Sequence, residues 1–250
     1  MTTPRVLLLA GTTEATVLAT ALGEQPPGSV DLTVSFAGRT SAPSAPFGYV
    51  RVGGFGGVDG LVAYLAEHHT DAVVDALHPF AAIMPFHASD ACTRTGTPRL
   101  KLVRPPWRPV AGDDWIAAPS ITGAAAAVHH RAPRRVLLTI GRQELDPFRS
   151  LVGSAFIVRT IEPVELDGEW DARLLLARGP FTVEEEISLL EREGIDLIVS
   201  KNAGGRATEA KLTATRSLGI PVVMVDRPPV PEGLQVATVP EALAWLAALD

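Results

Sequence analysis

The chain has 250 residues, 46% of them hydrophobic, which is enough for two cores of ordinary size. Its formal net charge of -6 excludes a general nucleic-acid binder, which needs a basic surface, so any anionic ligand must meet locally clustered arginines. The single cysteine, Cys92, excludes a disulfide framework and fits a reducing compartment; the start MTTPRVLLLAG lacks the apolar length of a signal or membrane segment, so a cytoplasmic location is expected.

Short apolar runs bounded by turn residues alternate with longer helical patterns, the grammar of βαβ units and a mainly parallel sheet. In the first half they predict strands at 5–10, 30–37, 72–77 and 99–103, with helices near 13–22, 58–68 and 81–95. RPPWRP then interrupts the pattern, because Pro105, Pro106 and Pro109 continue neither ladder nor helix, and it marks the crossing between domains. Beyond it an alanine-rich run at 123–128 reads as helix filler, and strands are expected at 135–140, 155–160, 173–177, 196–200 and 221–225. Thr182 and Glu185 make a capping box for the helix after Phe181, and a helix at 240–248 closes the chain. The pattern predicts an α/β protein of two Rossmann-like domains with mainly parallel sheets and an interdomain cleft. Residues 1–108 form its nucleotide-binding half and residues 109–250 complete the cofactor and substrate cleft. Right-handed crossovers leave the strand C-termini along one edge, where ligands bind.

The first strand runs into Gly11-Thr12-Thr13-Glu14. Glycine permits close backbone approach, the threonines can cap the next helix, and a helix start attracts phosphate. The turn lacks G-x-G-x-x-G spacing, so it equally describes a plain strand-to-helix connection. The second strand ends in Ser35-Phe36-Ala37-Gly38-Arg39-Thr40-Ser41, about where a dinucleotide domain meets the adenosine ribose. Arg39, Thr40 and Ser41 offer a cation and hydroxyls suited to the 2′-phosphate of NADPH, or else a solvated arginine in a loop.

Seven ordered segments together resemble the precorrin-6A reductases of cobalamin biosynthesis: LLLAGTTEA, SFAGRT, DALHPFA, LVRPPW, LLTIGRQEL, the stretch 199–211, and IPVVMVDRP. They span most of the chain. The sequence departs from the family pattern at Leu77, where threonine is expected, and at Asn202-Ala203, where the loop is more serine-like. The resemblance implies NADPH as cofactor, an anionic tetrapyrrole as substrate, hydride delivery to C19 and protonation at C18 of precorrin-6A. It also implies neighbouring enzymes of the pathway as partners.

Hydride transfer needs positioning and no protein nucleophile, and Cys92 reads as a small hydrophobe within a helix. Three residues are candidates for catalysis. Asp75 suits an orienting or helix-capping carboxylate, His78 a proton relay, and Lys201, one of only three lysines, ends an apolar strand where it can bind a carboxylate or donate a proton. Gly141, Arg142 and Gln143 repeat the arrangement of strand, glycine turn and helix start, suiting cofactor phosphates or a substrate carboxylate. A polyanionic substrate also requires arginines, for which Arg104, Arg159, Arg206 and Arg227 are candidates. Trp107 and Trp115 suit packing on the macrocycle or cover inside the protein. The histidines show no ligand spacing, so no metal is expected.

A short-chain dehydrogenase is excluded because no Tyr-x-x-x-Lys pair exists: Tyr49 is followed by Gly53 and Tyr64 by His68. A cofactor-free tetrapyrrole enzyme of the uroporphyrinogen-III synthase kind shares the architecture but has no use for Arg39 or the Gly11 turn. A non-catalytic NADPH-binding sensor has no need of the polar set Arg142, Gln143 and Lys201.

Overall fold

A computed structural model describes residues 3–38, 45–166 and 168–249; Arg39, Thr40 and Ser41 lie outside the described residues. The chain forms two units, Met1–Pro105 with Pro228–Asp250, and Pro106–Arg227. In the first, strands Arg5–Leu9 (β1), Asp31–Phe36 (β2), Tyr49–Val52 (β3), Ala72–Asp75 (β4) and Arg99–Leu102 (β5) are joined with helices Thr13–Gly23 (α1), Gly57–Glu67 (α2) and Met84–Thr95 (α3). The second contains Trp115–Ala118 (β6), Ile121–Arg131 (α4), Arg135–Thr139 (β7), Asp146–Arg149 (α5), Ala155–Thr160 (β8) and Ala172–Leu176 (β9), followed by Val183–Arg192 (α6), Leu197–Lys201 (β10), Ala210–Leu218 (α7) and Val222–Val225 (β11). Gln235–Val236 (β12) and Val239–Ala247 (α8) then return to the first unit.

Each unit holds one six-stranded sheet, in the orders β12-β5-β4-β1-β2-β3 and β6-β11-β10-β7-β8-β9. The pairs among the described residues are parallel throughout. Both are doubly wound orders: the chain reverses its winding between β1 and β4, and again between β7 and β10. The central strands are apolar because helices cover both faces. In β1, Val6 and Leu8 join the core under α1 and α8, whereas Leu7 and Leu9 join the core under α2 and α3.

The expected single crossing, with 109–250 wholly in the second domain, is corrected by the C-terminal return. β12 pairs with β5, and α8 presents Val239, Ala242, Leu243 and Leu246 at helical spacing to the core beneath α1. A two-residue strand leaves almost no pattern in a sequence, which is why the return was not read there. β3 and β6, both at sheet edges, are likewise strands that the apolar runs did not predict. Among the described residues no helix is long and apolar enough to cross a membrane.

Candidate functional site

The two switch points gather most of the predicted residues. In the first unit, Thr12 caps α1: its hydroxyl oxygen accepts from the Ala15 amide at 3.2 Å and its proton goes to the Ala76 carbonyl at 2.9 Å. The turn after β1 is thereby tied to the turn after β4. Gly11 lies so close to the latter that a Cβ there would sit 3.8 Å from the His78 amide nitrogen. The first-turn amides of Thr13 and Glu14 have no intrahelical acceptor, as at any α-helix start, and they face the end of the helix. Glu14 would repel an anion there, but Arg104 pairs with it at 2.7 Å. Arg104, expected among the substrate arginines, is therefore committed to the α1 turn.

His78 is half-buried, and its Nδ1 accepts from the Phe80 amide at 3.2 Å. Asp75 is fully buried. One carboxylate oxygen takes the Leu77 amide at 3.2 Å; the other lies 3.2 Å from Lys101 Nζ and 3.7 Å from the Arg99 guanidinium. Asp75 is an interior anchor of the His78 turn and not an exposed acid. Its partner Lys101 was missed, although a lysine in one apolar strand and an aspartate in the next signal such a pair. Also missed was Arg51 of β3, which donates to Ser35 Oγ at 3.3 Å and to the carbonyls of Gly53 and Gly54 at 2.6 and 2.7 Å, and stacks 3.7 Å above the Phe55 ring. It fixes a guanidinium where β2 and β3 end.

In the second unit β7 leads to Gly141, whose φ is +90°, but no helix begins there. The four-residue α5 starts only at Asp146, with Pro147 in its first turn, so Gly141, Arg142 and Gln143 form an exposed turn; this corrects the expected helix start. Arg142 approaches the Pro163 carbonyl at 3.5 Å. Lys201, at the end of β10, pairs with Glu144 of the same turn.

The chain beyond Lys201 is clamped twice. The Asn202 carboxamide accepts from the Trp107 amide at 2.8 Å and donates to the Trp107 carbonyl at 3.1 Å. Arg227 donates to the carbonyls of Asn202 and Ala203 at 2.9 and 3.0 Å. Trp107 donates from its indole to Gly205 and packs on the second unit's core, as does Trp115; both are internal cover. Arg206 is exposed in the 3-10 turn Arg206–Thr208.

Arg159 stands apart. It is buried in β8, binds both Glu186 oxygens of α6 at 2.9 and 3.0 Å, and lies over the Phe181 ring. The expectation of a substrate ligand is corrected here, because a side chain one residue short of the strand end is covered by α6. Among the described residues no group of three metal-ligating side chains occurs. Cys92 is buried, and burial pushes its thiol up to about 11.

The family model described as precorrin-6x reductase CbiJ/CobK matches residues 5–247. A precorrin-6A reductase from Rhodococcus erythropolis is 45% identical over 246 residues, 98% of each chain. One from Rhodobacter capsulatus is 46% identical over 244 residues, 97% of this chain and 96% of its own. The solved structure titled CobK precorrin-6A reductase superposes with a TM-score of 0.89 at 45% identity, covering 98% of this chain and 96% of that one.

Proposed function

The chain belongs to the precorrin-6x reductase family, and from that premise we propose that it is a cytoplasmic, NADPH-dependent precorrin-6A reductase of cobalamin biosynthesis. The observation that carries the cofactor assignment is the first switch point. There an α-helix of 11 residues starts behind an exposed glycine, with the Glu14 carboxylate neutralised by Arg104. These residues fit a dinucleotide diphosphate, which needs open amides, close backbone approach and no uncompensated negative charge.

Gly11, Thr12, Thr13 and Glu14 hold the diphosphate turn, and Arg39, Thr40 and Ser41 take the 2′-phosphate. Bound NADPH supplies the hydride, directed to C19 of precorrin-6A, while a proton goes to C18. His78, tethered through its ring nitrogen, relays a proton. In the second unit Gly141, Arg142, Gln143, Lys201 and Arg206 bind carboxylates of the tetrapyrrole, where charge-assisted hydrogen bonds orient the substrate.

The test is titration with NADPH and NADH, followed by nucleotide oxidation in the presence of precorrin-6A. Tight NADPH binding and substrate-dependent oxidation are expected, and Arg39→Ala should weaken NADPH far more than NADH. Absence of nucleotide binding sinks the reductase reading in favour of a cofactor-free tetrapyrrole enzyme.

A further inference from the structure

Resting on the reading above, in which Lys201 binds a substrate carboxylate, we infer that Glu144 is the positioning residue that holds the Lys201 ammonium oriented for that task. The sheet topology brings the two together. β7 and β10 are parallel neighbours with Thr139 level with Ser200, so the turn after β7 rises beside Lys201. From there β7 leads on to β8 at one side and β10 to β11 at the other, which opens the crevice of a doubly wound sheet between the two turns. Lys201 forms one wall, Glu144 the other, and their side chains pair across it.

The backbone of Lys201 is held from behind, since Trp107 grips the Asn202 carboxamide and Arg227 takes the carbonyls of Asn202 and Ala203. The four-carbon stem projects from that fixed backbone, and a carboxylate partner orients it. Pre-orientation reduces the entropy lost when the substrate binds.

The test uses the full chain with NADPH and precorrin-6A, comparing Glu144→Gln, Glu144→Asp and Lys201→Ala. Glu144→Gln should raise KM for precorrin-6A roughly tenfold, as loss of a positioned charge pair does. The value of kcat, NADPH affinity and thermal midpoint should stay unchanged. Glu144→Asp should recover part of the KM, and Lys201→Ala with Glu144→Gln should be no worse than Lys201→Ala alone. A wild-type KM for Glu144→Gln, beside a damaged Lys201→Ala, overturns the inference and leaves the Lys201 role intact. An unaffected Lys201→Ala overturns both.

Discussion

Lys101 reaches across from β5 to Asp75 of β4, with Nζ 3.2 Å from the carboxylate, and the two side chains are 3% and 0% exposed. Removing one partner of such a pair strands the other in a medium that cannot solvate it, at about 3–5 kcal/mol. The cost here should be asymmetric, because Arg99 lies 3.7 Å from the same carboxylate. Lys101→Met leaves Asp75 facing Arg99, whereas Asp75→Ala leaves two buried cations without a counter-charge. Urea denaturation should rank Asp75→Ala as the more destabilised variant; the reverse order would mean that Arg99 does not compensate.

Arg159 and Glu186 give the same physics in the second sheet, 7% and 1% exposed. Arg159→Met should lower unfolding free energy by about 3 kcal/mol or more while leaving KM for the tetrapyrrole at its wild-type value. A large KM increase with normal stability would return Arg159 to the substrate site.

These two pairs mark the boundary of what was legible. Strands buried on both faces, such as β1, β7 and β10, announce themselves as apolar runs, because a helix lies on either side of them. The edge strands β3, β6 and β12 need no such composition, so Tyr49–Val52 and Trp115–Ala118 passed as loops. Strand-end turns carrying Gly11, Gly141 and Lys201 were found because glycine and a rare lysine are conspicuous after an apolar run. Among abundant arginines no such contrast exists. Only the fold distinguishes Arg159, covered by α6, from Arg104, paired at the α1 start, and from Arg51, stacked on Phe55.

Cys92 in α3 is 4% exposed, and burial raises its thiol to about 11 from a starting value of 9.0. The folded state therefore keeps its proton where the unfolded chain would lose it. The stability this group contributes is complete below pH 9 and is lost as pH climbs through about 11. At neutral pH a thiol reagent should label Cys92 only as fast as the protein opens. Rapid stoichiometric labelling of the native protein would show that α3 does not cover it.

The C-terminal return offers an acid-side test. Glu241 closes the capping box of α8, accepting from the Thr238 hydroxyl at 2.7 Å and from the amides of Thr238 and Ala237 at 2.9 and 3.1 Å. The Thr238 hydroxyl bond, followed by the two amide bonds, holds the carboxyl below its ordinary range. A depressed carboxylate contributes stability above its unfolded value and loses it as pH falls through the folded one, so α8 should loosen in acid. Glu241→Gln keeps an acceptor oxygen but does not titrate. Its stability should start below wild type at neutral pH and converge on it as the solution is acidified, measured by amide exchange along Val239–Ala247. Parallel curves would mean that the box acts through geometry alone and that the acid response of this helix arises elsewhere.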